Sequence, residues 1–430
     1  MPATKMTKKQ AVFPWTLQLP IYATGFFNGT VQTMATTIVA LLLVAVINPE
    51  LTLLIGLIIA SRQFLTVTMS IHGGALMDLY GTKKVIILFG FLGVASALSF
   101  PLSIDIFNVN LDVAMESPPW VFIAMLIVLQ MLSGFAEATG WIGSQTLVGK
   151  LMKGQPIYAG RMTFSARIGG FVGPISVGAA WDEFGSWGGF GFLAGWILCG
   201  IIAAAFIPAA KQRPNDTNAP DNLINENNEF NRGNYKSTFQ LLLIPAVAMV
   251  IMVTMMRQTG SGVQTSFYVI WLREEIQLSG SLIGLLIGCA NATSALAALS
   301  VGGLTKVIKD HWLLIITIAI SIIFIAVTPI LGDLFPLLLI AICCRGIGQG
   351  LNLPLMMLIL SRNVGSSFQG RVTAMRVSFN RFGGMCVPPI MGGLAQLFGL
   401  ANSFYIVGIF GVVALICLSI WVSRSEKINE

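Results

Sequence analysis

Charge is what this sequence lacks. Only 10% of its 430 residues are charged and 55% are apolar, where a soluble domain carries about 25% charged residues. So little charge cannot coat a water-facing surface, which excludes a soluble enzyme, a nucleic-acid-binding module and a disordered scaffold. Histidine is nearly missing as well: His72 and His311 stand far apart in the chain, too few for a histidine-based metal centre. The six cysteines, Cys199, Cys289, Cys343, Cys344, Cys386 and Cys417, sit in apolar runs without metal-ligand or disulfide spacing and read as small apolar fillers. No Walker-type phosphate loop and no nucleophile–base pair can be assembled. The expectation is therefore no metal, no cofactor, no nucleic acid and no catalysis.

Long apolar runs are what the chain has instead. About 20 apolar residues cross ~30 Å of hydrocarbon, and twelve such runs occur at roughly 16–46, 51–77, 84–104, 120–148, 162–181, 187–208, 240–272, 279–303, 312–331, 334–360, 372–396 and 400–422. The Asn-, Asp- and Pro-rich stretch between the sixth and seventh has few large apolar residues and reads as a disordered linker. The expected layout is an N-tail (1–15), six helices (16–208), a linker (209–239), six helices (240–422) and a C-tail (423–430). The basic N-terminus resembles the start of a signal peptide, but the apolar run after it is too long for one. With both tails inside, 18 of the 25 basic residues fall on cytoplasmic segments and one, Arg273, falls outside. That asymmetry sets the orientation by the positive-inside rule.

The halves repeat. Residues 167–185 and 381–399, at an offset of 214, share Arg, Gly, Gly, Pro, Gly, Phe and Gly. Duplicated membrane halves are a mark of secondary transporters whose site lies between them.

These residues resemble the Major Facilitator Superfamily. After the second run, Gly74, Asp78, Gly81, Lys83 and Lys84 match the family's loop 2–3 signature, although Leu79 and Thr82 stand where basic residues are common. In the fifth run Gly160, Gly169, Gly173, Pro174 and Gly178 fit its glycine-rich pattern ending in Gly-Pro, with Val177 replacing one glycine. The resemblance implies an all-α membrane protein of twelve helices in two pseudo-symmetric six-helix bundles, alternating access and a monomer. It implies that spans 3, 6, 9 and 12 face lipid while 1, 4, 7 and 10 line a cavity, and that Asp78 latches onto the start of span 11. Gly74, Asp78, Gly81, Lys83, Lys84, Gly173 and Pro174 are expected to serve that conformational switch.

Polar residues inside a membrane are costly and normally face a cavity or a partner. Span 1 has Gly25, Asn28, Gln32 and Thr36; span 4 has Gln130, Gly134, Glu137 and Trp141; span 7 has Arg257, Ser261 and Gln264; span 10 has Arg345, Gln349 and Asn352. Each set runs at three- and four-residue steps, hence along one helix face. Six arginines (Arg62, Arg167, Arg257, Arg345, Arg376, Arg381) face one intramembrane acid, Glu137. Arg376, near the mouth, reads as reaching water, and the repeat-related Arg167 and Arg381 read as gate contacts.

Arginine keeps its charge and offers a planar fork suited to carboxylate or phosphate. The expected cargo is therefore a small organic anion, with a polycarboxylate or its metal chelate among the candidates. Arg257 and Arg345 would clamp it, helped by Arg62, with neutral hydrogen bonds from Asn28, Gln32, Gln258, Gln264, Asn291, Gln349, Asn352 and Asn380. Glu137 would carry the coupling proton or form a fixed ion pair with an arginine. Its spacing from Gln130 and Gly134 resembles the fourth span of organic-anion symporters in the superfamily, with Gln130 in place of their arginine. Two other readings stay open: a proton-antiport exporter of amphiphiles, favoured by the fifth-span pattern, and a non-transporting sensor on the same fold. Short outer loops point to a bacterial inner membrane.

Overall fold

The computed structural model describes residues 13–152, 156–208, 240–332, 334–363 and 366–425. The tails beyond them and the segment 209–239 lie outside the described residues, as do the surroundings of Gly74 and the side chain of Asp78 within their helix. The described chain is almost entirely helical.

Span 1 is Trp15–Asn28 followed by Val31–Val46, and span 2 is Thr52–Ser61 followed by Phe64–Tyr80. Span 3 is Thr82–Ile106 and span 4 is Trp120–Leu151. Spans 5 and 6 share Pro156–Ala205, bent at Gly185. Span 7 is Pro245–Gln264 followed by Phe267–Glu274; spans 8 to 12 are Gly280–Leu304, Asp310–Ala326, Phe335–Asn363, Ser366–Phe398 and Leu400–Arg424. Eight of these elements are long and apolar enough to cross a membrane alone, and one of the eight carries both spans 5 and 6. Span 9 is only 17 residues, and spans 7 and 11 carry Arg257, Arg376 and Arg381, which lowers their hydropathy.

The repeat has a structural meaning. Gly185 (φ 63) and Gly399 (φ 88) both adopt the left-handed backbone that suits glycine, and each turns the chain from one span into the next. Pro174 and Pro388 lie inside helices, where proline leaves the carbonyl four residues earlier without its helical donor. For Pro174 that carbonyl belongs to Gly170, and Asn291 Nδ2 of span 8 donates to it at 3.1 Å.

The two halves meet at the end of the bundle remote from the chain termini. There a Cβ added at Gly56 or Gly392 would collide with the backbone of span 11 or span 2, and one added at Gly178 or Gly284 with that of span 8 or span 5. Backbone therefore rests directly on backbone. Thr52 Oγ1 donates to the Gly392 carbonyl at 2.8 Å. The Asp182 carboxylate of span 5 accepts from the Gly280 and Ser281 amides, both at 2.7 Å, and from Ser281 Oγ at 2.6 Å. An acid thus sits on the first amides of span 8, which have no partner within the helix and where the helix dipole favours it. Further cross-half hydrogen bonds lie nearer mid-length, from Asn291 to Gly170, from Arg167 to Asn291 and from Arg381 to Gln63.

Removing the carboxylate should loosen this end. Charge-assisted bonds contribute about 1.5–3 kcal/mol each and less where solvent screens them. Asp182→Ala is therefore expected to shift the closed-to-open balance roughly ten-fold. The readout is labelling of Gln32→Cys by an impermeant thiol reagent, in a background stripped of the native cysteines. An unchanged labelling rate would rule out a closing role for Asp182.

Candidate functional site

Three spans break near mid-length without proline at the break. Span 1 breaks at Gly29–Thr30, span 2 at Arg62–Gln63 and span 7 at Thr265–Ser266. Thr30 Oγ1 donates to the Phe26 carbonyl at 2.7 Å and Ser266 Oγ to the Gly262 carbonyl at 2.7 Å. Hydroxyls bonded back to the preceding turn compete with the backbone ladder and bend a helix. Gln32 and Gln264 stand beside two of these breaks, and their side chains form no hydrogen bond to another described residue.

Arg62 ends the first part of span 2. It is 2% exposed, and its Nη2 lies 3.6 Å from Glu137 Oε2. Its Nη1 donates to Ser133 Oγ at 2.9 Å and, at 3.4 Å, to Gln130 Oε1. Span 4 approaches closely because Gly134 has no side chain to meet the Arg62 backbone. Glu137 and Arg62 therefore pair within the first half. Gln130, on the expected span 4 stripe, and Ser133, which the stripe does not include, complete that cluster.

In the second half, Arg257 is half-buried. Its Nη1 donates to Asn380 Oδ1 at 3.0 Å, and its buried Nε has no acceptor among the described residues. Gln258 Nε2 donates to the Asn380 carbonyl at 2.5 Å, and Ser261 Oγ donates to Gln258 Oε1 at 2.5 Å. The charges that act on Arg257 are those of Arg376 and Arg167, both of like sign. Arg376 does not reach water as expected: it is 7% exposed, with its Nε unpartnered among the described residues.

Arg345 is 1% exposed, and its Cζ lies 5.2 Å from the centroid of the Tyr268 ring. Tyr268 lies beyond the span 7 break at Thr265–Ser266 and Arg257 lies before it, so the two arginines have different neighbours on span 7. Asn352 departs from the expected stripe too, since its Oδ1 accepts from Thr317 Oγ1 of span 9 at 2.6 Å. Asn28 Nδ2 donates to Ser144 Oγ at 3.1 Å and to the Gly140 carbonyl at 3.4 Å, which ties span 1 to span 4.

Arg167 and Arg381, at equivalent repeat positions, both cross between the halves. Arg167 Nη1 donates to Asn291 Oδ1 at 3.5 Å, and Arg381 Nη1 donates to Gln63 Oε1 at 3.3 Å. Each contact is long, and each uses a neutral amide of the opposite half.

The sequence profile described as the Major Facilitator Superfamily matches residues 21–269 and 250–430. The chain belongs to the Major Facilitator Superfamily. It is a multi-pass membrane transporter rather than an enzyme, and its cargo is a small molecule. Among solved structures, that of the nucleoside transporter NupG is similar with TM-score 0.69 and 13% identity, covering 95% of this chain and 100% of that one. A D-xylose-proton symporter gives TM-score 0.70 and 13% identity, covering 97% and 99%. The peptide transporter POT in complex with sulfate gives TM-score 0.69 and 15% identity, covering 96% of each chain. At such identities the likeness is one of fold. No curated protein matches the sequence significantly.

The superfamily's loop 2–3 signature lies at the end away from the closed contact. Gly81 there takes φ 88, which lets Tyr80 end one helix and Thr82 begin the next. Lys83 Nζ donates to the carbonyls of Ala205 and Ile207, both at 2.7 Å. A cation on the free carbonyls of a helix C-terminus is favourable, so Lys83 fastens span 3 to span 6. In the fifth span, Gly173 packs on Thr30 and Met34 of span 1, while the Pro174 carbonyl faces Gly284 of span 8.

Proposed function

We propose that this transporter carries a small organic anion, bearing carboxylate or phosphate, by proton-coupled alternating access. The observation that carries the reading is Arg257. It is half-buried, held by one neutral partner, Asn380, and electrostatically opposed by Arg167 and Arg376. A bound anion supplies the counter-charge that this cluster lacks among the described residues, and Arg257 Nε remains free to donate to it. Gln264 and Gln32 stand beside the helix breaks as neutral donors for the rest of the cargo.

Glu137 is the proposed proton carrier. Protonation removes its charge and releases Arg62 from the 3.6 Å ion pair, so that proton arrival changes how much positive charge the pathway presents. The similarity in fold to a D-xylose-proton symporter fits proton coupling. The excess of basic residues on the tail side puts both termini in the cytoplasm, so the closed end is the outer one and the pathway faces inward. A bacterial inner membrane is the proposed location, and the monomer the proposed working unit.

The test is thermal unfolding of the detergent-purified protein against mono-, di- and tricarboxylates, phosphorylated metabolites, neutral sugars and cationic amphiphiles. A ligand at 100 times its Kd stabilises the folded state by about 2.7 kcal/mol. The expected result is stabilisation by anions only. Stabilisation by neutral or cationic compounds, with none by anions, would overturn the reading in favour of an amphiphile exporter.

A further inference from the structure

Arg345 is among the most deeply buried side chains of the molecule, at 1% exposure. A buried guanidinium without an acceptor is strongly unfavourable. Among the described residues Arg345 makes no ion pair, and its Nε and Nη2 have no acceptor. Those two nitrogens share one edge of the planar fork, the edge that grips an anion through two parallel N–H bonds. Tyr268 covers a face of the group with its ring, 5.2 Å from centroid to Cζ. The ring attracts the cation but offers the edge nitrogens nothing to donate to. One turn further along span 10, on the same helix face, Gln349 Nε2 is also buried without an acceptor. Arg345 and Gln349 together present three orphaned donor atoms and one uncompensated positive charge.

We propose that Arg345, Gln349 and Tyr268 form a second anion site, separate from Arg257, which holds a small monovalent anion of chloride or formate size. Charge sets the valence, because one guanidinium calls for one negative charge. Enclosure sets the size, because a group so little exposed admits only a small acceptor to its edge. Position makes the site separate, because Tyr268 belongs to the part of span 7 after the break at Thr265–Ser266 and Arg257 to the part before it. The site is independent of which organic anion the pathway carries.

The full-length protein, purified into gluconate buffer, is titrated with chloride and separately with formate at constant ionic strength, and unfolding is followed by temperature. Saturable stabilisation by both anions is expected. It should persist in Arg257→Ala and vanish in Arg345→Gln. Gln349→Ala keeps the buried charge, so it keeps the test decisive if Arg345→Gln does not fold. That variant should need at least about five-fold more chloride for half its effect, the loss of roughly one hydrogen bond. Broadening of the chloride NMR line by the wild-type protein, reduced by the same variant, is the second readout. A response that is absent, does not saturate or ignores Gln349→Ala overturns the proposal. A response lost in Arg257→Ala also overturns it, because there is then one anion site and not two; the organic-anion reading survives that result.

Discussion

Replacing Arg257 by alanine is expected to reduce substrate uptake by roughly 30-fold to a few thousand-fold, with expression and thermal stability retained. Truncating one partner of a desolvated charge pair costs about 2–5 kcal/mol in binding, which converts to that range at 1.4 kcal/mol per factor of ten. Stability should hold because Arg257 has little to lose in the unliganded protein. Among the described residues its side chain has one hydrogen-bond partner, Asn380, and the like charges of Arg376 and Arg167 oppose it. Arg257→Lys keeps the charge without the planar fork and should fall between the two. Counterflow and proton-driven uptake should drop together, since both require the anion to bind. Near-normal uptake by the alanine variant would refute the assignment.

Glu137→Gln should behave differently, losing both stability and coupling. The carboxylate and its partner Arg62 have side chains 4% and 2% exposed, and breaking a buried pair from one side costs about 3–5 kcal/mol. Neutralising both residues removes the orphaned charge, so Arg62→Gln/Glu137→Gln should recover part of the loss. The interaction energy from the double-mutant cycle measures the pair directly. In proteoliposomes Glu137→Gln should no longer accumulate substrate against a gradient when driven by pH, yet should still exchange substrate across the membrane. Full pH-driven accumulation by this variant would remove Glu137 from the coupling step.

The span layout was legible because hydrophobic length is a local property of the chain. The repeat was legible too: it anticipates the matching turns at Gly185 and Gly399 and the matched cross-half reach of Arg167 and Arg381. The partners of the polar residues were not. Asn352 lies at cavity-stripe spacing from Arg345, yet it binds Thr317 of span 9. Spacing along a helix fixes a face to within an arc wide enough to include both a neighbouring helix and the pathway. Arg62 and Glu137 are 75 positions apart, and only packing decides that one arginine of six takes the acid. The breaks in spans 1, 2 and 7 left a faint signal in Gly29-Thr30 and Thr265-Ser266. Hydroxyl residues are common inside membrane helices, however, and most leave the helix continuous.

The roof of the pathway has a consequence for how such a sequence can diverge. Gly56, Gly178, Gly284 and Gly392 each face backbone of the opposite half with no room for even a methyl group. No graded series of substitutions is available there, because the smallest side chain already forces two helices apart. The polar residues nearer mid-length, Gln32, Arg257, Gln258 and Gln264, are long, jointed side chains that can be exchanged one at a time. Substitution there is therefore open to gradual change while these four backbone contacts are not, so divergence from this sequence should spare the glycines and alter the polar interior first.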